Sequence, residues 1–314
     1  MRLTAERFRN PKLPPSGRSP ISRRDFLRAA VLGSAACVAG CGRWKDRHAG
    51  NGEARFRTIT YNVFACYGWL PNEEKFKQRR AAAKDKQARV DMAARFAEAL
   101  QPFDADLITF QEAPPEWVVA EIANRLQCHH VFFPSGEYWP GALLTRLEVI
   151  ESANCPIGGD RPKDLFTRHW GRAVLRSAFG PVVVHSVHLN PHKEAIRQRE
   201  ATEVLRVIRN DFESGRPLIL QGDFNHTDAN PEYQMWVAAG LVDTFRAAGK
   251  GLAITMPKPT DKQPRRIDFI WTHGAFVKRV REVRVLSGRP FSLDPKDPDS
   301  FALSDHRPVM ATFQ

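Results

Sequence analysis

The chain has 314 residues, of which 42% are hydrophobic and 26% are charged. This composition excludes a chain too polar to fold, and we expect one large α/β domain with an N-terminal appendage. The formal net charge of +12 is typical of proteins that bind nucleic acid. Residues 1–41, however, contain eight Lys and Arg against two acidic residues, so half of this charge belongs to a segment that we expect to be removed.

The first predicted element is an export signal within residues 1–41. Residues 22–28 read Ser-Arg-Arg-Asp-Phe-Leu-Arg, and an Ala- and Gly-rich stretch follows at residues 29–40. That stretch is too short to span a bilayer as a stable helix. The pair Arg23-Arg24 and this stretch together resemble a twin-arginine export signal, which would carry the folded domain out of the cytoplasm.

The signal ends at a cysteine in a lipobox-like sequence. Residues 38–41 read Val-Ala-Gly-Cys and resemble a bacterial lipobox, with Val38 where leucine is usual. A lipidated Cys41 would hold the domain at a membrane surface without a spanning helix. A signal that is simply cleaved is the alternative. Residues 42–54 lack apolar periodicity, and we interpret them as a flexible tether.

The cysteines after Cys41 are Cys66, Cys128 and Cys155. Their spacing contains no CxxC pair, which argues against a zinc site. In an oxidising compartment one disulfide could form among them, but the sequence does not select the pair.

A regular pattern begins at Arg55. Residues 58–63 alternate between polar and apolar side chains, which predicts a half-buried strand. A long helix is predicted at residues 75–100, and Pro102 ends it. The other predicted strands are at 107–110, 141–144, 171–175, 182–187, 218–220, 267–271 and 309–313, with helices at 114–126 and about 193–212. This mixture favours two packed sheets covered by helices.

The strongest motif, Gly222-Asp223-Phe224-Asn225, ends the predicted strand at 218–220. In an extended chain, Asp223 and Asn225 lie on the same face, and Gly222 allows a substrate or a neighbouring backbone to approach closely. Such a pair suits phosphate chemistry, because Asp223 can orient or deprotonate a water while Asn225 donates a hydrogen bond to a phosphoryl oxygen.

A second motif lies before the last predicted strand, where Asp305-His306 follows Ser304. Histidine suits proton transfer because its ordinary pKa lies close to neutrality. The candidate partner for His306 is Asp268, whose position in an apolar strand is costly unless the carboxylate is paired. A structural salt bridge from Asp268 to Arg265 or Arg266 is the alternative.

Polar side chains also end the first two predicted strands. Asn62 ends the first, and Glu112 ends the second. Because Mg²⁺ prefers one or two carboxylates, with waters and substrate oxygens in its other positions, Glu112 is the natural candidate ligand.

These motifs together resemble the endonuclease/exonuclease/phosphatase superfamily across essentially all of residues 55–314. In chain order they are Thr60-Tyr61-Asn62, Gln111-Glu112, Val187-His188-Leu189, Gly222-Asp223-Phe224-Asn225, Arg266-Ile267-Asp268-Phe269-Ile270 and Ser304-Asp305-His306-Arg307-Pro308. The resemblance implies an α/β four-layer sandwich, in which two mixed β-sheets pack face to face with helices outside.

The resemblance also implies a bound Mg²⁺ or Mn²⁺, held by Glu112 with help from Asn62 and Asp305. Such a cation neutralises charge that develops on the phosphoryl oxygens and on the leaving group.

The remaining implied roles concern water and phosphate. His306, steadied by Asp268, would manage the attacking water together with Asp223. Asn225 and His188 would contact the phosphate.

Three further polar residues lie near these motifs. Arg172 falls where some relatives carry a basic or polar phosphate contact, so we expect it to bind substrate. We expect His185 and His192 to be structural or surface residues.

The sequence therefore predicts a divalent-metal-dependent hydrolase of phosphate esters that acts outside the cytoplasm. A secreted nuclease is the alternative, favoured by the remaining charge of +6 and by basic runs at 79–80 and 279–284. A lipid-headgroup phosphodiesterase is comparably favoured if Cys41 is acylated. A domain that only binds phosphate would be expected to lack some of the acidic and histidine residues, and none is missing. No protein partner is predicted.

Overall fold

The computed structural model describes residues 54–257, 263–294, 296–297 and 299–314. The predicted export signal, the lipobox and nearly all of the predicted tether lie outside the described residues. The described part of the chain contains two β-sheets, six α-helices and several short 3-10 turns.

The first sheet has seven strands. In spatial order they are β10 (Gly249–Lys250), β12 (Val280–Val285), β13 (Val309–Phe313), β1 (Phe56–Asn62), β2 (Leu107–Gln111), β4 (Gly141–Thr145) and β3 (His129–Phe133). Strand β1 runs parallel to β2 and antiparallel to β13, so the sheet is mixed.

The second sheet has six strands. In spatial order they are β5 (Glu148–Asn154), β6 (His169–Ser177), β7 (Gly180–His188), β8 (Leu218–Asp223), β11 (Asp268–His273) and β9 (Val242–Asp243). Strand β8 runs parallel to β7 and antiparallel to β11, so this sheet is mixed as well.

Six α-helices among the described residues accompany the two sheets. They are α1 (Glu73–Ala82), α2 (Lys86–Leu100), α3 (Glu116–Leu126), α4 (Glu194–Glu213), α5 (Pro231–Ala238) and α6 (Thr244–Ala248). Apolar residues of α2 and α3 pack on the first sheet, and those of α4 and α5 pack on the second. A third apolar cluster fills the space between the sheets. The predicted sandwich of two mixed sheets between helices is confirmed.

Two local predictions were wrong. The predicted helix at 75–100 is two helices, because the Asp85 side chain accepts a hydrogen bond from the Ala88 backbone N–H and begins α2 there. Strand β1 was expected to be half-buried, yet Thr58 and Thr60 are as inaccessible as Ile59. The second sheet covers the polar face of β1, which the strand's own sequence does not reveal.

A buried polar network replaces apolar packing on that covered face. Gln221 donates to the Ile59 carbonyl oxygen (3.2 Å) and to Thr109 Oγ1 (2.9 Å), while its Oε1 accepts from Thr58 Oγ1 (2.8 Å). Thr60 donates to the Gln111 side chain (3.1 Å). The donors and acceptors of this network are paired. The network therefore fixes the position of β8 relative to β1 and β2 along the strand direction.

No helix among the described residues is long and apolar enough to cross a lipid bilayer. Cys66, Cys128 and Cys155 are free thiols.

Candidate active site

The ends of strands from both sheets meet at one edge of the sandwich. In the second sheet, His188 of β7 is the register partner of Asp223, and Asp223 is the partner of Asp268 across the next ladder. Asn62 ends β1 in the first sheet, and its Nδ2 donates to Asp223 Oδ2 over 3.0 Å. Strand register therefore brings together residues that are far apart in the sequence.

Gly222 lets β7 and β8 lie close together beside Asp223. Its φ of +150° belongs to a region that favours glycine, and an added Cβ would lie 1.9 Å from the Val187 carbonyl oxygen. The expected close approach at Gly222 is thus made by a neighbouring backbone, and any side chain there would displace the strand that carries His188.

His306 and Asp268 form a buried pair. His306 Nδ1 lies 2.9 Å from Asp268 Oδ2, and Nε2 on the other side of the ring lies 3.9 Å from Asp223 Oδ2. Burial by itself would lower the pKa of His306, but the carboxylates of Asp268, Asp223 and Asp305 raise this pKa well above its ordinary value. The pair therefore favours an imidazolium whose Nε2 faces Asp223.

The alternative partners of Asp268 are engaged elsewhere. Arg266 Nη2 lies 2.7 Å from Asp243 Oδ2, and Arg265 Nη2 contacts the Met256 sulfur. The structure thus pairs Asp268 with His306, whereas the structural salt bridge considered from the sequence is not formed.

Asp223 lies at the centre of the arrangement. Besides Asn62, its carboxylate accepts from the Asn225 backbone N–H over 2.9 Å and lies 3.5 Å from His188 Nε2. Burial, reinforced by Asp268, raises the pKa of Asp223 to about 7, against the opposing effects of His306 and Asn62. An acid with this pKa can accept or release a proton near neutral pH.

His188 and Asn225 flank this carboxylate. Burial, together with neighbouring positive charge, lowers the pKa of His188 well below its ordinary value, so its imidazole stays neutral. Asn225 has a φ of +51°, and its Nδ2 donates one hydrogen bond to the Leu189 carbonyl oxygen over 3.0 Å. A second amide hydrogen of Asn225 is available for an acceptor such as phosphate.

Glu112 lies on the first-sheet side of the site and has the features of a cation ligand. Its Oε2 is buried and has no hydrogen-bond partner among the described residues. Burial, reinforced by Asp305, raises the pKa of Glu112 to about 7, while His306 and Arg168 oppose that shift. A buried, unpartnered carboxylate oxygen beside other carboxylates fits a divalent cation.

The other two predicted metal ligands are linked through Ser304. Ser304 Oγ donates to the Asn62 carbonyl oxygen over 2.7 Å and lies 3.2 Å from Asp305 Oδ1. The Asn62 side-chain oxygen accepts from the Phe64 backbone N–H over 3.1 Å, and a carbonyl oxygen retains a second lone pair for a cation. Asp305 is also close enough to Glu112 for its charge to raise the pKa of that carboxyl, so the three predicted ligands lie in one neighbourhood.

A second set could also hold an ion, because ligand atoms of Asp223, Asp268 and His306 lie within 4.8 Å of one another. The hydrogen bond between His306 and Asp268 uses one ligand atom of each, but Asp268 Oδ1 has no hydrogen-bond partner among the described residues.

Sequence comparison gives the family. The sequence model of the Endonuclease/Exonuclease/phosphatase family matches residues 59–306. The chain belongs to this family. Its members are generally hydrolytic phosphoesterases and typically depend on a divalent metal. No curated protein sequence matches the chain significantly.

Solved structures of the family share the fold. The chain is similar to the mannosyl-6-phosphatase Bt3783 of Bacteroides thetaiotaomicron VPI-5482, with 18% identity and a TM-score of 0.64 over 82% of this chain and 98% of that one. It is also similar to another endonuclease/exonuclease/phosphatase family protein of Bacteroides thetaiotaomicron (18%, TM-score 0.63, 82% and 97%). Truncated TDP2 of Caenorhabditis elegans is a third (16%, 0.57, 82% and 97%). At these identities, the likeness shows the fold alone.

One predicted site residue of this family member lies elsewhere. Arg172 binds Asp211 through Nη2 (2.6 Å) and Nε (3.1 Å), and it also contacts Glu151. Its guanidinium is thus held by a carboxylate of α4, so the structure contradicts the prediction that Arg172 contacts phosphate. His185 lies 2.9 Å from the same Asp211 and is structural, while His192 is exposed, as we expected of both.

Arg168 is the basic residue that the sequence analysis missed. Its Nη1 lies 3.7 Å from Glu112 Oε1, and its Cζ lies 5.2 Å from the ring centroid of Trp139. Arg168 belongs to none of the six motifs, and its neighbour Trp139 is distant in sequence. The only feature of the sequence that could have indicated Arg168 is its position as a basic residue immediately before the buried strand β6.

Proposed function

We propose that this chain is a divalent-metal-dependent hydrolase of phosphate esters. The observation that carries the proposal is the buried pair of His306 and Asp268, which directs His306 Nε2 toward Asp223. The buried Glu112 oxygen that has no hydrogen-bond partner among the described residues is the proposed cation ligand. Phosphate-ester hydrolysis needs a general base, a hydrogen-bond donor and a metal ligand near one another. Asp223, His306 and Glu112 are the candidates for these three roles.

In this mechanism, Asp223 accepts the proton of the attacking water. A carboxyl group whose pKa lies near 7 can do so effectively at neutral pH. The imidazolium of His306, stabilised by Asp268, donates a hydrogen bond into the same space. The water oxygen bonds to phosphorus, and the bond from phosphorus to the leaving alcohol breaks. The departing oxygen takes up a proton from solvent, and Asp223 releases its proton to solvent.

The phosphate would be held by neutral donors and by the cation. His188 can donate a hydrogen bond without adding charge, because its imidazole stays neutral. Asn225 has a second amide hydrogen to donate. When bound by Glu112, Asn62 and Asp305, the divalent cation neutralises charge on the phosphoryl oxygens and the leaving group.

The test is hydrolysis of bis-p-nitrophenyl phosphate with Mg²⁺ or Mn²⁺. Removing the imidazole in His306→Ala should slow the metal-dependent reaction by about 10²–10⁴-fold. Chelation of the metal should stop the wild-type reaction, and an unchanged melting temperature would show that the variant is folded. Equal rates for the two proteins would refute the catalytic assignment.

The substrate class can be determined by comparing hydrolysis rates on several classes of phosphate ester. The neighbours named above include a mannosyl-6-phosphatase and TDP2, and the charge of +6 outside residues 1–41 favours a nuclease as the second candidate. A panel of plasmid DNA, RNA, sphingomyelin, phosphoinositides and sugar phosphates separates these classes. Hydrolysis of DNA or RNA above all other substrates would favour the nuclease.

The proposed place of action is outside the cytoplasm, either in the periplasm or at a membrane through a lipidated Cys41. The support is the sequence at Arg23-Arg24 and at residues 38–41. Unchanged export after replacement of both arginines by lysine would contradict the twin-arginine route.

A further inference from the structure

The Arg168 guanidinium is partly buried beside Glu112, and one of its nitrogens is buried without a hydrogen-bond partner among the described residues. The side chain is 17% exposed, and Nη1 has no hydrogen-bond partner among the described residues. The 3.7 Å from Nη1 to Glu112 Oε1 is too long for a hydrogen bond. Nη1 thus has an ionic neighbour but no hydrogen bond, and because a buried donor without a hydrogen bond is costly, it fits an anion supplied by a ligand.

Arg172 provides the contrast within the same part of the chain. It binds Asp211 through two nitrogens and also contacts Glu151. An arginine that serves only the fold is thus paired with carboxylates here. Arg168 Nη1 instead lies beside the proposed metal ligand, where the negative phosphoryl oxygens would be.

Trp139 holds the Arg168 guanidinium in place. The Arg168 Cζ lies 5.2 Å from the Trp139 ring centroid, within the range of a cation–π contact. Trp139 packs nearly parallel to Phe64, with ring centroids 6.4 Å apart. Phe64 lies two residues after Asn62, so the aromatic support adjoins a proposed metal ligand.

Backbone hydrogen bonds fix the segments that carry these side chains. The Arg168 carbonyl oxygen accepts from the Gly136 N–H over 3.2 Å, and the Pro140 carbonyl oxygen accepts from the Ala113 N–H over 2.8 Å. The segment containing Trp139 is therefore tied to Arg168 on one side and to the residue after Glu112 on the other. This arrangement suits a preorganised ligand contact.

A cleft of about 410 Å³ extends outward from Arg168 and Trp139. Its lining combines polar and charged side chains, among them Thr167, Asn190 and Lys193, with apolar surface, and Tyr138 is exposed there. The volume falls within the range of small-molecule sites, roughly 300–1,000 Å³. The hydrogen-bonding side chains of this lining suit a leaving group that carries hydroxyls.

We propose that Arg168, positioned by Trp139, binds a non-bridging phosphoryl oxygen of the substrate, and that a polar leaving group extends from there into the cleft. This inference rests on the proposed function. The planar guanidinium can donate two parallel hydrogen bonds to a phosphate, which an ammonium group cannot do. Arg168 would thus be a substrate-binding residue and Trp139 a positioning residue.

The experiment measures the dissociation constant of inorganic phosphate by calorimetry, in the presence of Mn²⁺, together with KM and kcat for bis-p-nitrophenyl phosphate. Loss of a charged hydrogen bond in Arg168→Ala should weaken phosphate binding by about 10- to 100-fold. Arg168→Lys should restore only part of it, and added guanidinium should partly rescue Arg168→Ala. Arg176→Ala is the matched control, because Arg176 pairs with Glu148 at the surface, and it should match the wild type.

The positioning role of Trp139 is tested with two substitutions, one that removes the aromatic ring and one that keeps a smaller ring. Trp139→Ala should raise KM and the phosphate dissociation constant by roughly threefold to tenfold, and Trp139→Phe should recover most of the loss because it keeps a ring under the guanidinium. A Trp139 that only supports the fold would lower the melting temperature without changing KM in the folded protein.

Phosphate affinity and KM that are unchanged in Arg168→Ala would overturn the inference. A different result would refute the proposed function. If the wild-type protein hydrolyses no phosphate ester but binds phosphate through Arg168, the catalytic proposal is wrong while the assignment of Arg168 stands.

Discussion

The sandwich contains two buried polar clusters, one where the middles of β1, β2 and β8 meet and one at the strand ends that form the site. In the middle, Gln221 bridges the two sheets, and its side-chain oxygen and nitrogen are both paired. At the ends, Glu112 Oε2, Asp268 Oδ1 and His188 Nδ1 are buried without a hydrogen-bond partner among the described residues. The two clusters have similar burial, but only the middle one is satisfied by the protein itself.

This difference separates a structural network from a site. A satisfied buried network stabilises one arrangement of the strands, whereas an unsatisfied buried group lowers stability and persists where a ligand completes it. We therefore expect changes in the middle to act on stability, and changes at the ends to act on activity and on ligand binding.

The largest effect is expected from Asp268→Asn, which removes the charge that stabilises the His306 imidazolium. The rate constant kcat should fall by about 10²–10⁴-fold. Because Asp268 contributes to the raised pKa of His306, this pKa should fall in the variant, as NMR titration of the imidazole can show. Asp228→Asn, which removes an exposed carboxylate paired with Arg246, is the control. An unchanged imidazole titration in Asp268→Asn would contradict the role of the pair.

The second effect concerns Glu112→Gln in the metal-free protein. The folded-state pKa of about 7 lies above the ordinary 4.5, so the folded protein retains a proton that the unfolded chain releases. The stability associated with protonated Glu112 is present below about pH 4.5 and is lost as the pH rises to about 7. Glu112→Gln should therefore equal the wild type in acid and exceed it by about 3 kcal/mol above pH 7.

Urea unfolding across this pH range measures the predicted difference. Mn²⁺ should then raise the melting temperature of the wild type but not of Glu112→Gln, because only the wild type keeps the anionic ligand. A stability difference that does not change with pH, or an equal response to Mn²⁺, would remove Glu112 from the metal site.

The smallest effect is expected from Gln221→Leu in the satisfied network. Its free energy of unfolding should fall by about 2 kcal/mol, since the Thr58 and Thr109 hydroxyls and the Ile59 carbonyl oxygen lose their partner. Activity per folded molecule should be retained. Gln87→Leu on the exposed face of α2 is the control, with an expected change under about 0.5 kcal/mol. A variant as stable as the wild type would show that the middle network is not structural.

The sequence predicted the strand-end residues because each of them belongs to a short local motif. Asp223 and Asn225 follow one strand, and Glu112 and Asn62 each end another. The resemblance to a family then supplied their common location, and the structure brings Asn62, Asp223, Asp268 and His306 into contact. Their catalytic roles stay predictions until they are measured.

What the sequence could not predict depends on long-range packing. Arg172 looked available as a phosphate contact because its partner Asp211 lies in a distant helix. Arg168 gave no motif because Trp139, which positions it, is remote in the chain. Thr58 and Thr60 indicated that one face of β1 is exposed. That face is covered by β8, which comes much later in the sequence, so the local pattern of β1 could not show the burial.

The most direct test of the central claim compares two variants in one assay, the Mn²⁺-dependent hydrolysis of bis-p-nitrophenyl phosphate per folded molecule. His306→Ala should remain folded and lose almost all of the rate, whereas Gln221→Leu should lose stability and keep the rate. A His306→Ala protein that hydrolyses the ester as fast as the wild type, or a wild-type rate that survives removal of every divalent metal, would contradict the account.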